Sequence, residues 1–221
     1  MASSVIENYR AEKYNVDSKE ANQKELTKKG LRTYQRIIDV ARVKVRSNGY
    51  TETTVQMICD EAGIGVGTFY HYFNSKEDVL LAYINSNNQP LFDFYAQQDK
   101  TSYGRALLAV ANLFVEMCLD EGKSTISQVC TMVLQSTIDF SKFFENAFYQ
   151  IVRDAYLQGQ EKGEFSKDIS VDAFSYMVIS EWFYFTSLWC NNSREFNLRV
   201  LVTQNFPIIL KMVSNPTRIE A

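Results

Sequence analysis

Few side chains in this sequence have the chemistry of an active site. The groups that titrate or react near neutral pH are one histidine, His71, and four cysteines, Cys59, Cys118, Cys130 and Cys190. The cysteines lie far apart with no CxxC pair, and a single imidazole supplies no histidine cluster, so no metal centre is expected. In a reducing compartment such thiols behave as small apolar residues and are expected in the core. Gly63, Gly65 and Gly67 are spaced like a phosphate-cradling loop, but such a loop follows a strand, and here a helical stretch precedes it. Gly122-Lys123-Ser124 imitates the end of a nucleotide-binding loop, yet the earlier glycine it requires falls at Met117. No serine or cysteine stands beside a recognisable base. No catalytic residue and no cofactor are therefore expected.

Charge and its placement point elsewhere. The net charge is −3, but residues 24–76 carry nine Lys/Arg against five Asp/Glu. A basic segment joined to an acidic remainder suits local contact with phosphates. No apolar run approaches the roughly 18 residues needed to span a bilayer. The first twenty residues are polar and charged, which predicts neither a leader nor a membrane anchor, and the cytoplasm is the expected compartment.

The elements that would hold this basic segment are helices. Prolines occur only at Pro90, Pro207 and Pro216, and glycine is sparse, as long helices require. Residues 1–27 show no sustained apolar period and read as an arm. Leu31, Tyr34, Ile38, Ala41 and Val45 then step by three and four, giving an apolar helical stripe that Asn48-Gly49 ends. Thr53-Thr54 offers an N-cap for a second helix with Val55, Ile58, Cys59 and Ala62 inward. Gly63 stops it. A third short helix runs to Phe73 and is expected to bury Ile64, Phe69 and Phe73. Ser75 with Asp78 forms a capping box that opens a longer helix through Val79, Leu80 and Tyr83. Beyond Pro90, helices are expected near 103–119, 124–138, 141–162, 171–190 and 194–213. The predicted class is all-α.

Two short helices joined at Ala62-Gly63-Ile64 make a helix-turn-helix. Ala62 lets the helices approach, Gly63 makes the turn and Ile64 fills the angle. Such a pair lays its second helix in the major groove of DNA. The run AGIGVGTFYHYFNSKEDVL, residues 62–80, resembles the signature of the TetR family of transcriptional regulators. The resemblance covers residues 30–80, while the rest is similar to the family only in length and helical character. It implies an N-terminal three-helix DNA-binding domain over residues 28–74 and a helical ligand-binding and dimerisation domain over residues 75–221.

The resemblance also implies roles. Thr54, Tyr70, Tyr72 and Lys76 match positions that hold DNA phosphates and orient the helix. Gly65, Val66, Gly67, Thr68 and His71 match the surface facing base edges. Here the sequence departs from the usual polar or basic residues at positions 65 and 66. Glycine and valine cannot make paired hydrogen bonds to a base. Val66 or the Thr68 methyl is left to meet a thymine methyl, with DNA shape supplying further specificity.

The C-terminal half is rich in aromatic and sulfur side chains. Apolar walls with a few polar groups describe a small-molecule pocket, and the candidates are Phe114, Met117, Cys118, Met132, Gln135, Phe144, Phe148, Tyr149, Met177 and Glu181. An apolar or aromatic effector is expected. The segment SYMVISEWFYFTSLW and a last-helix stripe of Leu198, Leu201, Val202, Asn205 and Ile209 are expected to pair across a twofold as a four-helix bundle. A homodimer implies a palindromic operator on double-stranded DNA. The expected function is a repressor that its effector releases from DNA by drawing the fourth helix, and with it the recognition helices, out of register. An effector-independent architectural or division-linked DNA-binding protein is the alternative.

Overall fold

The computed structural model describes residues 27–86, 88–135, 146–191 and 196–215. The chain divides into two compact units, Met1–Asn87 and Asn88–Ala221. All regular elements of the described residues are helical, with one isolated antiparallel bridge between Phe165 and Ser214. No helix among them is long and apolar enough to cross a membrane.

In the first unit α1 spans Lys28–Asn48, α2 Val55–Ala62, α3 Val66–Tyr72 and α4 Lys76–Ser86. Helix α1 packs against α2 and α4, and α2 against α3. Its buried residues are Ile37, Ile38, Ala41 and Val45. The expected stripe is therefore displaced. Leu31 is 42 % exposed, upstream of the buried stretch, and Ile37 is fully buried in its stead. A core-facing stripe is wide enough for the adjacent residues Ile37 and Ile38 to share it. Ile58, Cys59, Ala62, Phe69 and Phe73 complete this core as expected, but Ile64 is only half-buried. It follows the turn directly, and its N–H bonds back to the Cys59 carbonyl at 3.0 Å.

The second unit contains α5 (Asn88–Gln97), α6 (Tyr103–Leu134), α7 (Ala147–Glu161), α8 (Val171–Cys190), a π-helical stretch Leu201–Asn205 and α9 (Phe206–Val213). The two helices expected over 103–119 and 124–138 are one long element broken at Gly122, whose φ of 81° and ψ of 162° lie outside the helical region. Only glycine enters that region without strain. The π-helical stretch merges into α9 through a bond from the Phe206 N–H to the Leu201 carbonyl. Pro207 follows at the start of α9, where its missing N–H costs least.

Helices α6, α7 and α8 pack on one another and α5 packs on α6 and α7. The Tyr95 hydroxyl donates to Asp154 Oδ2 at 2.9 Å, tying α5 to α7. Burial raises the Asp154 carboxyl above the usual carboxylate range. Glu164 caps α6 from a distance in sequence, accepting from Ser102 Oγ (2.7 Å) and from the Tyr103 and Gly104 N–H groups (2.7 and 3.0 Å). Next to it the buried Phe165 ring lies against Gly159 and stacks on Tyr156, which stacks on Phe174.

The last-helix stripe differs from expectation. Leu198, Leu201, Val202 and Ile209 are buried inside this unit, and Asn205 is half-buried. The apolar side chains left outside are Ile208 and Met212 on α9 and Tyr176, Met177 and Tyr184 on α8. Hydrophobic periodicity marks the face that is buried, but does not say whether its own unit or a partner covers it.

Candidate nucleic-acid interface

The helix-turn-helix is built by three local devices. Thr54 caps α2, its hydroxyl accepting from the Met57 N–H at 3.2 Å. Gly63 ends α2 in the left-handed conformation, φ 62° and ψ 42°, which costs a residue with a Cβ about 1–2 kcal/mol. A Cβ there would also stand 3.4 Å from the Arg36 guanidinium of α1. Ser75 then caps α4, its hydroxyl accepting from the Asp78 N–H at 3.1 Å, while the Asp78 carboxylate accepts from the Asn74 N–H at 2.9 Å.

Helix α3 is pinned from below by aromatics. Phe69 is fully buried, and Phe73 stacks on Tyr34 of α1 at 4.8 Å. That anchoring turns the opposite face outward: Gly65, Val66, Gly67, Thr68, Tyr70 and His71 are all exposed. Tyr72 is half-buried, its ring edge-on to Tyr34 at 6.3 Å. Thr54 is exposed as well, and its hydroxyl can donate to a phosphate while still accepting from Met57.

Lys76 has a different setting from the one the sequence suggests. Its ammonium donates to the Tyr50 carbonyl at 2.7 Å and the Thr53 carbonyl at 2.8 Å, and lies 4.0 Å from the centre of the Tyr50 ring. Two of its three N–H groups thus hold the loop between α1 and α2. The Tyr50 hydroxyl donates to the Glu77 carboxylate, and burial together with that carboxylate raises the phenol above its ordinary value. Nothing near Tyr50 or Glu77 in the sequence marks them, because each acts through a contact distant in sequence. Lys44 pairs with Glu61 at 2.8 Å, joining α1 to α2.

In the second unit the structure brings only some of the expected ligand residues together. Phe114 and Phe148 stack at 4.6 Å, and both rings meet Trp182, at 5.3 and 4.6 Å. Cys118, Met132 and Tyr149 are buried, and Met117 and Glu181 are half-buried. Burial raises the Glu181 carboxyl, and a hydrogen bond with Asn205 lowers it in part. Gln135 and Met177 are exposed, Gln135 because it follows the last turn of α6. Phe144 lies outside the described residues. Buried polar atoms of this unit without a hydrogen-bond partner include Trp182 Nε1, Thr125 Oγ1 and Asp154 Oδ1, on residues 6 %, 2 % and 5 % exposed. An orphaned buried donor costs about 1–3 kcal/mol unless something supplies its acceptor.

Three thiols of this unit are near enough to influence one another. Burial pushes Cys118 up to about 12, with Cys130 and Cys190 adding to it; Cys190 is likewise pushed up to about 12, and Cys130 is raised. No group of three or more His, Cys, Asp or Glu among the described residues is placed to hold a metal. The native thiols stay protonated at neutral pH, and their alkylation by iodoacetamide at pH 8 should follow unfolding rather than precede it. Because these thiols titrate higher folded than unfolded, their contribution to stability is complete below pH 9 and is lost as pH rises toward 12. Urea melts of the wild type and Cys118→Ala across that range check this: the wild type should lose stability more steeply.

The comparisons agree with this geometry. Residues 37–83 match the family model described as bacterial regulatory proteins, tetR family. The fatty acid metabolism regulator protein of Bacillus subtilis is 21 % identical over 188 residues, covering 82 % of this chain and 96 % of that protein. The HTH-type transcriptional repressor KstR2 of Rhodococcus jostii is 24 % identical over 195 residues, covering 86 % and 94 %. Among solved structures, Thermus thermophilus FadR, a TetR-family repressor in complex with lauroyl-CoA, superposes with a TM-score of 0.65 at 21 % identity, covering 80 % of this chain and 93 % of that one. The helix-turn-helix segment thus matches the TetR family of bacterial regulatory proteins over residues 37–83, and the fold of the chain is similar to that of solved regulators of this kind.

Proposed function

We propose that the chain is a transcriptional repressor that binds a palindromic operator as a homodimer and leaves it when a small apolar effector occupies the second unit. The observation that carries the DNA reading is the outward face of α3. Six residues, Gly65 to Thr68 with Tyr70 and His71, are exposed together on a helix whose other side is locked by Phe69 and Phe73. Thr54 and Tyr70 hold phosphates, and Tyr72 does so from the rim. Lys76 braces the loop behind them. The twofold forms on the apolar side chains that α8 and α9 leave outside, with Tyr184, Ile208 and Met212 between 59 % and 72 % exposed.

The effector reading rests on the aromatic core of Phe114, Phe148 and Trp182, with its orphaned Trp182 N–H. An apolar ligand carrying one hydrogen-bond acceptor, such as a carbonyl, would satisfy the Trp182 donor. Fatty acyl-CoA is the first class to test, since a structural relative holds lauroyl-CoA.

A selection of genomic fragments by the purified protein, at near-physiological salt, tests the DNA reading. Recovery of a few fragments that share a palindrome is the expected result. Enrichment without a shared sequence would count against a specific repressor. Titrating lauroyl-CoA into the operator complex, with coenzyme A and laurate in parallel, tests the effector class. A loss of operator affinity of about 5–150-fold is the scale for such coupling.

A further inference from the structure

The family fold supplies a recognition helix, but this one lacks the usual reading side chains. From Ala62 to Phe73 the chain has no Arg, Lys, Asn, Gln, Asp or Glu, the residues that identify guanine, adenine or cytosine by hydrogen bonds to base edges. In the first turn of α3 the one exposed large apolar side chain is Val66, 37 % exposed. It stands between Gly65 and Gly67, and the fold requires neither glycine. Gly65 has φ −75° and ψ 152°, which any residue adopts, and Gly67 has no positive φ. A Cβ added at either position meets nothing within 4 Å. Glycine is also among the poorest helix formers. Gly67 weakens a short helix and Gly65 caps it without a side-chain hydrogen bond; both stand in open space on its outward face, explained by an approaching surface rather than by the protein's own packing.

We propose that Val66 is the specificity-determining residue of the DNA contact, packing on the C5-methyl of a thymine in each half-site, while Gly65 and Gly67 let the main chain sink toward the base edges. The thymine methyl is the one apolar group the major groove presents, and a branched apolar side chain is its complement. An isopropyl group flanked by bare backbone reaches the groove floor without its neighbours touching the walls. This inference rests on the reading of the chain as an operator-binding protein.

The test uses the full-length protein and the selected operator, replacing each thymine in turn by deoxyuridine, which removes the methyl and leaves the pairing edge intact. At one symmetry-related position, wild-type affinity should fall about fourfold per half-site, the value of one methyl group's burial. With both half-sites changed the loss should be about fifteenfold. Val66→Ala should bind the thymine and deoxyuridine operators equally. Gly67→Ala should melt no lower than wild type and Gly65→Ala, a poorer N-cap, only slightly lower, and both should bind the operator at least about tenfold more weakly. A wild type indifferent to every deoxyuridine, or a Val66→Ala variant that keeps the full methyl dependence, overturns the role of Val66. Full affinity in both alanine variants overturns the close approach. A protein that selects no operator overturns the repressor reading itself, and the inference with it.

Discussion

Phe165→Ala should lower the free energy of unfolding by about 3–5 kcal/mol, the usual cost of deleting a buried aromatic ring. Phe165 is 1 % exposed and stacks on Tyr156 at 5.1 Å, and Tyr156 stacks on Phe174 at 3.9 Å. The ring therefore joins the turn after α7 to α7 itself and to α8. Its other edge lies on Gly159, where an added Cβ would come within 2.3 Å of Phe165 Cδ2 and 2.5 Å of Cε2. Gly159→Ala should therefore cost about 1–3 kcal/mol by overpacking, although alanine is the better helix former. The two substitutions must couple. With Phe165 already alanine, the obstacle is gone and Gly159→Ala should be neutral or stabilising. Urea melts of the two single variants and the double variant read that coupling, and simple additivity would contradict the contact.

Lys76→Met should destabilise the first unit by about 2 kcal/mol, because it removes two hydrogen bonds from a charged donor and leaves the Tyr50 and Thr53 carbonyls without it. Operator binding should weaken as a consequence of the loosened α1–α2 loop, with the salt dependence of binding unchanged. A lysine that clamped a phosphate would behave oppositely. Its removal would spare the melting temperature and reduce the slope of log affinity against log salt by about one. Measuring the melt and the salt slope on the same variant separates bracing from clamping.

That contrast shows where the sequence is legible. The turn at Gly63, the Thr54 cap and the pairing of Ser75 with Asp78 are local, fixed by residues within four positions of one another, and all three stand in the structure as expected. The outward face of α3 follows from the same locality, since burying Phe69 and Phe73 orients everything between them. Lys76 could not be read that way. Its partners lie 23 and 26 residues upstream, and nothing near it in sequence distinguishes a brace from a clamp. The second unit was harder for the same reason. Aromatic content announced a core, and Phe114 and Phe148 do stack, but composition could not say that Gln135 and Met177 face out or that Trp182 holds an unpaired N–H. The stripe from Leu198 to Ile209 was visible, yet its burial within its own unit depends on α6 packing against it. The π-helical stretch before α9 left no sign beyond Pro207.

The open space around Gly65 and Gly67 also bears on how such a protein can change. Most routes to new specificity pass through residues that also hold the fold, and most substitutions destabilise. At positions 65 and 67 an added Cβ meets nothing within 4 Å. A duplicated gene could thus drift to a different operator by single substitutions without crossing the stability threshold that ordinarily limits divergence. A library randomised at these two positions should contain mostly folded proteins and many different preferred sequences, with melting temperatures that differ only by the small effects of helix capping and propensity.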